Sequence, residues 1–143
     1  MIKLTVSKIY PSTKDELFNL IEDIHRLSII KKEIAGYRIA RDELGLQIID
    51  TDYRLPFIKI ASRLRYTIRP GKYTELKQTK GKFKNYVCKY SFKNGKGGII
   101  MEINLIIQLP FGPFSYILSI IMKPAIKLRL LKELKTIGKL IEK

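Results

Sequence analysis

The sequence predicts an α+β chain: a curved antiparallel sheet of about seven strands around a long C-terminal helix, with two short helices between the first and second strands. Three observations carry this reading. Apolar residues recur at period two from Ile34 to Leu109 with only short turns between the runs, the mark of successive antiparallel strands. After Pro113 the period becomes 3.6 and holds almost to Lys143. Ahead of the sheet run stand one strand and a capped helical stretch.

Ile2, Leu4 and Val6 alternate with Lys3, Thr5 and Ser7, a strand that Pro11 ends. Ser12 and Thr13 precede Asp15 and Glu16, an N-cap followed by acids in the first turn. Leu17, Phe18, Leu20, Ile21 and Ile24 keep helical spacing to about His25, and Leu27, Ile29 and Ile30 make a short second helix. Ile34 to Arg41 is the next strand, with a turn at Asp42 to Gly45; Leu46 to Leu55 follows and stops at Pro56. Phe57 to Arg69 is the clearest strand: Ile58, Ile60, Leu64, Tyr66 and Ile68 take one face, and Lys59, Arg63, Arg65 and Arg69 the other. Pro70-Gly71 closes it, and Tyr73 to Thr79 comes next, with a break near Gly81. Phe83 to Lys93 sets Tyr86, Cys88, Tyr90 and Phe92 against Asn85, Lys89 and Lys93. Asn94 to Gly98 is a hairpin loop, and Ile99 to Leu109 the last strand.

The final helix is apolar nearly all round up to Pro124, where a kink or weak join is expected. Beyond it Ile126, Leu130, Leu134, Ile137 and Ile141 share a stripe, with Arg129, Lys132, Lys135 and Lys139 facing away. The first half carries more apolar surface than a flat sheet can cover, and a curved sheet gripping the helix would accommodate it.

Composition narrows the chemistry. Twenty-eight Lys and Arg against 13 Asp and Glu give a net charge of +15 over 143 residues. One cysteine excludes an internal disulfide, and one histidine, His25, excludes a multi-histidine metal site. No metal and no cofactor are implied. The opening MIKLTVSKIY alternates rather than forming a continuous apolar run, so the expected location is cytoplasmic, peripheral wherever basic surface meets acidic lipid. Ile103 to Met122 carries no charge and has the length of a membrane span, but Pro110, Gly112 and Pro113 break it into a strand, a turn and a helix start.

The order of elements resembles the START-like superfamily, also called SRPBCC, with its polyketide cyclase and coenzyme Q-binding branches. Val6-Ser7 to Pro11 leading into Glu16-Leu17-Phe18-Asn19-Leu20-Ile21-Glu22-Asp23-Ile24 is similar to the family's opening strand, proline turn and helix. Gly97-Gly98 entering the last strand, then Leu109-Pro110-Phe111-Gly112 before the final helix, is similar to its end. The resemblance covers residues 1–143 as one ligand-binding domain and implies the helix-grip fold. It also implies a cavity between helix and sheet for lipids, sterols, quinones or polyketides.

Strand parity then names a pocket. Ser62, Leu64, Tyr66, Tyr86, Cys88 and Tyr90 point inward on the middle strands, and Ile103, Leu105, Ile117 and Ile121 would close it. Apolar walls with a few hydroxyls suit a hydrophobic small molecule, the hydroxyls orienting its head group; the plainer alternative is a filled core with tyrosine hydroxyls at its rim. A second reading uses the outer face: Lys59, Arg63, Arg65 and Arg69, with Lys84, Lys89 and Lys93 on nearby strands, would meet a polyanion such as RNA or an acidic membrane. A third reading is a cyclase-like enzyme, but catalytic groups are scarce. His25 is expected to be exposed and Cys88 packed. The i, i+2 spacing of Asp50 and Asp52 gives no paired-carboxylate mechanism by itself. Phe111 and Phe114 belong either to a stiff connection or to a mouth that touches a bilayer.

Overall fold

A computed structural model describes residues 1–142. The elements run β1 (Ile2–Tyr10), α1 (Lys14–Asn19), α2 (Ile24–Ile30), β2 (Ile34–Glu43), β3 (Leu46–Leu55), β4 (Ile58–Arg69), β5 (Tyr73–Gly81), β6 (Asn85–Gly95), β7 (Gly98–Gln108) and α3 (Phe114–Ile141). Seven strands form one antiparallel sheet in the order β1-β7-β6-β5-β4-β3-β2. First and last strands are therefore neighbours, while β2 lies at the opposite edge. The chain crosses between those edges through α1 and α2, which close one end of the grip against α3. Register shifts in β2 and between Arg63 and Leu64 mark bulges, which bend strands around what they cover.

Local chemistry explains the ends. Thr13 caps α1 by accepting the Glu16 N–H at 3.2 Å. The first helix ends earlier than its apolar spacing predicts. Asp23 caps α2 by accepting from Arg26 N–H at 2.8 Å, and Gln47 Oε1 accepts from Ile24 N–H at 2.7 Å, so Ile24 and His25 belong to the second helix. At the start of α3, Ser115 Oγ accepts the Phe111 N–H at 2.9 Å and donates to the Leu109 carbonyl at 3.0 Å, stapling the Pro110–Pro113 turn. The helix then continues through Pro124 to Ile141.

The core is the concave side of the sheet. Each middle strand turns alternate residues inward: Ile49, Tyr53 and Leu55 on β3; Ile60, Leu64, Tyr66 and Ile68 on β4; Tyr86, Cys88, Tyr90 and Phe92 on β6; Met101, Ile103, Leu105 and Ile107 on β7. The buried side of α3 presents Ser119, Met122, Ile126, Leu130, Glu133, Leu134 and Ile137 to them. Tyr10 O–H donates to the Leu134 carbonyl at 2.5 Å and ties the helix to β1. The glycine at 98 is forced by close approach, since a Cβ there would sit 2.0 Å from the Tyr10 carbonyl oxygen.

The grip does not cover the whole of α3. Phe114, Ile117, Ile120, Ile121, Leu128 and Leu131 are exposed on its outer face. The expectation that sheet curvature would bury the apolar first half is corrected here: a helix packed on one concave face hides one stripe, and Ser119, Met122 and Ile126 take it.

Candidate functional site

Within the grip, four elements bring a charged and phenolic cluster together. Lys31 follows α2, where its N–H caps the helix on the Leu27 carbonyl at 2.8 Å, and the side chain runs inward. Glu133 stands on the buried face of α3. Lys31 Nζ donates to Glu133 Oε2 at 3.0 Å, with the two side chains only 1% and 3% exposed. The Tyr90 hydroxyl on β6 donates to the other carboxylate oxygen, Oε1. The Tyr53 ring on β3 lies beside Lys31, with its centroid 6.0 Å from Nζ, and the Tyr86 hydroxyl donates to the Tyr53 hydroxyl at 2.9 Å. Tyr53, Phe83 and Tyr86 stack around this point with centroids 4.7–5.7 Å apart.

Burial dominates the protonation chemistry. It raises the Glu133 carboxyl above its ordinary value, with Lys31 partly opposing. Burial also opposes charge on Lys31, but attraction to the acidic groups around it, Cys88 once ionised and Glu133 foremost, outweighs that and raises the ammonium well above its ordinary value. Cys88 is itself pushed up to about 11 by burial, so at neutral pH it is a thiol, and Glu133 is the acidic side chain that Lys31 hydrogen-bonds. The phenols of Tyr53, Tyr66, Tyr86 and Tyr90 are all raised by burial and remain donors. The cluster thus offers an ammonium, phenolic donors and a carboxylate in surroundings of low polarity, where each hydrogen bond is strong and each unpaired group costly.

A cleft of about 450 Å³ lies between α2, β3 and α3, lined by Ile30, Lys32, Glu33, Arg54, Arg129, Lys132, Glu133 and Thr136, and touches the cluster at Glu133. Glu33 sits in its wall with Oε1 3.9 Å from Arg129 Nη1, and its buried Oε2 has no hydrogen-bond partner among the described residues. Arg129 Nη1 also donates to the Arg54 carbonyl at 3.0 Å. Four basic side chains, Lys32, Arg54, Arg129 and Lys132, surround two carboxylates there.

The residues expected to line a pocket are placed as follows. Leu64, Tyr66, Tyr86, Cys88, Tyr90, Ile103 and Leu105 converge inside the grip, with Ser62 at its edge donating to Gln78 Oε1 at 2.8 Å. They meet as packed core: Leu64, Tyr66, Tyr86, Cys88, Tyr90 and Ile103 are wholly buried. The Tyr66 hydroxyl is committed to the Ile21 carbonyl. Ile117 and Ile121 do not close this interior; they are 55% and 56% exposed on the far side of α3, because the helical period turns them away from Ser119 and Met122.

The outer face separates the basic residues more than strand parity implied. Lys59 and Arg63 line a shallow groove of about 840 Å³ with Arg38, Arg54, Lys80 and Lys82. Asp50 is in that groove too, on the outward parity, and its carboxylate takes Arg63 at 2.7 and 2.9 Å. The Arg63 bonds hold Asp50 below its ordinary pKa. Lys84 lies instead near Met1 and Gln108, Lys89 stands over the Tyr73 ring at 4.4 Å, and Lys93 reaches Glu102 at 3.8 Å. Arg65 is half-buried, with Nε unpartnered, and Arg69 is exposed at the far end of β4. His25 is exposed, its Nδ1 3.1 Å from the Tyr37 hydroxyl.

Sequence reading missed Lys31, Glu33 and Glu133. One signal was available: Glu133 stands three residues after Leu130 and four before Ile137, an acid inside an apolar stripe. Lys31-Lys32-Glu33 looks like any solvated turn.

The same architecture recurs in solved structures. TTHA0849 of Thermus thermophilus superposes with a TM-score of 0.80 at 14% identity, over 96% of this chain and 94% of that one. The Zhui aromatase/cyclase of Streptomyces sp. R1128 gives 0.73 at 8%, over 98% and 93%. A START superfamily protein of Mycobacterium smegmatis gives 0.64 at 12%, over 98% and 97%. The chain has the START-like helix-grip fold. No protein-family model and no curated protein sequence matches it. The Lys31–Glu133–Tyr90 cluster lies between the sheet and the C-terminal helix. Among the described residues no helix is long and apolar enough to cross a membrane, and no cluster of His, Cys, Asp and Glu is suited to hold a metal.

Proposed function

We propose that this chain binds a hydrophobic small molecule carrying a polar, acidic head, with the head held at the cleft and the body between α3 and the sheet. One observation carries the reading: a buried Lys31–Glu133–Tyr90 network meets, through Glu133, the wall of a cleft whose rim is rich in Lys and Arg. A purely structural core gains nothing from such a pair, since apolar residues of equal volume serve stability as well or better. Held in place, the same groups offer donors for a carboxylate or carbonyl oxygen. The fold supports the reading, since a START-like grip encloses one volume between helix and sheet. That volume is packed with side chains, Tyr53, Phe83 and Tyr86 among them, so binding requires those rings to swing aside. The lipid, isoprenoid or quinone-like class expected from the sequence fits a site with an apolar body and a polar end.

Native mass spectrometry of the purified protein, repeated after incubation with total lipid extract, tests this. A one-to-one adduct whose extracted mass is that of a lipid or quinone is expected; a bare chain mass in both samples contradicts it. Glu133 also favours a second reading, acid–base chemistry on the bound molecule, because burial raises its carboxyl above its ordinary value and sets it at the cleft wall. In that case the molecule retained by Glu133→Gln differs from the one retained by the natural chain in mass, chromatographic retention or fragmentation; identical compounds leave binding alone.

A further inference from the structure

The outer face of α3 is the least expected surface of the molecule. Phe114, Ile117, Ile120, Ile121, Leu128 and Leu131 are all exposed there, on the side away from the core. They extend over 18 residues, about 27 Å of helix. Pro124 adds to the stripe without interrupting it. At the N-terminal end the stripe joins an apolar depression lined only by Ile58, Phe111, Phe114, Ile117 and Leu118. Beside Ile58, at the tip of the β3–β4 hairpin, Phe57 is 88% exposed and has a left-handed backbone with φ 73°. A bulky aromatic in that conformation is strained, and nothing in the fold rewards it with burial.

Charge indicates what covers the stripe. Lys123 and Lys127 flank it on one side and Lys132 on the other, where Arg129 is turned to the Arg54 carbonyl and Glu33. The acids of α3 and its cap are Glu133, which is buried, and Glu142, beyond the stripe's far end. A second copy of the chain laid on this face would set lysine against lysine with no carboxylate between them, at +15 per chain. A face that is apolar along its centre and cationic along both edges suits a different partner.

We propose that α3 lies flat on an anionic lipid surface, its outer apolar stripe in the acyl boundary and its lysines among the head groups. The helix does not span the bilayer; it rests in the interface as amphipathic helices do, with Phe57 and Phe114 inserted at one end. Apolar burial and charge both contribute, so neither suffices alone. The proposal is independent of whether the grip binds a ligand.

Cosedimentation with vesicles tests it, comparing equimolar phosphatidylglycerol and phosphatidylcholine with phosphatidylcholine alone. The natural chain is expected to sediment with the anionic vesicles only. The triple variant Ile117→Ser, Ile121→Ser, Leu128→Ser changes exposed positions and leaves the core intact; its partition should fall by about tenfold or more. Lys123→Glu with Lys127→Glu should weaken binding strongly. The charge-matched Lys59→Glu with Lys80→Glu, on the sheet groove, should weaken it much less. Because the chain has no tryptophan, Ile121→Trp gives a clean reporter, and its indole emission should shift to the blue on anionic vesicles. No sedimentation on anionic vesicles overturns the proposal, and so does an unshifted indole emission from the Ile121→Trp variant. Binding of the triple variant equal to the natural chain shows adsorption by charge alone and also overturns it. A dimer in solution that the triple variant converts to monomer assigns the face to a second copy instead.

Discussion

The Lys31 ammonium meets the Glu133 carboxylate at 3.0 Å, across 102 residues of sequence and almost wholly out of water. The contact joins the end of α2 to the buried face of α3, and Tyr90 completes it from the sheet. It links the packing of the grip to the chemistry proposed for it.

Breaking this pair from one side leaves a buried charge with no counter-ion. Glu133→Leu is expected to cost about 3–5 kcal/mol of folding stability. Lys31→Met with Glu133→Leu removes both charges and should be more stable than Glu133→Leu alone, a coupling read from urea unfolding of the two single variants and the double. Additive losses would mean that the two charges do not sense each other.

The pH dependence has a definite sign. Burial raises Glu133 above its ordinary value of 4.5. Between that value and the folded one, the folded chain holds a proton that the unfolded chain releases, so this group's contribution to stability falls as pH rises. Glu133→Gln lacks the contribution. Its deficit relative to the natural chain should be largest below pH 4.5 and narrow as pH rises through this window. Thermal unfolding of both proteins across the range checks this; a deficit that widens with pH would show that attraction to Lys31 outweighs burial. The raised Lys31 acts at the other end, contributing below its ordinary value of 10.5 and losing that contribution above it.

Much of the architecture was legible because burial acts on alternate residues. Leu46 to Leu55 and the inward set Leu64, Tyr66, Tyr86, Cys88, Tyr90 follow from parity alone, since a one-residue slip would turn every one of them to water. The site was less legible. A charged residue in a core is recognised only once its partner is known, and Lys31 and Glu133 are brought together by the crossing of α2 and α3, which no local pattern encodes. Asp50 was ambiguous for a related reason: the ion pair with Arg63 that fixes it outward lies on another strand. Ile117 and Ile121 were misplaced because an all-apolar helix segment has no period from which to tell its inner face.

Gly98 and its neighbour Gly97 separate two reasons for glycine. A Cβ at Gly98 would strike the Tyr10 backbone at 2.0 Å, whereas Gly97 has open space and a φ of +83°. Gly98→Ala must move β7 away from β1 and should cost about 2–3 kcal/mol. Gly97→Ala meets only backbone strain, about 1–2 kcal/mol. Chemical denaturation of both variants gives the order, and a larger loss at Gly97 would be inconsistent with the β1–β7 contact.

Cys88 reports on opening of the grip. It is buried beside the cluster, and its raised pKa keeps it protonated and slow to react. If the tyrosine rings swing aside to admit a ligand, Cys88 should react with a thiol reagent faster than global unfolding allows, with little dependence on added urea. Labelling at the global unfolding rate would mean that the interior opens only when the whole chain does.

Whether the interior cluster holds a small molecule is decided by native mass spectrometry of two proteins. These are the natural chain and the Lys31→Met, Glu133→Leu double variant, each incubated with the same total lipid extract. A one-to-one adduct is expected on the natural chain, with its loss from a double variant that remains folded. No adduct on the natural chain, or the same adduct on both, would contradict a binding role for Lys31 and Glu133.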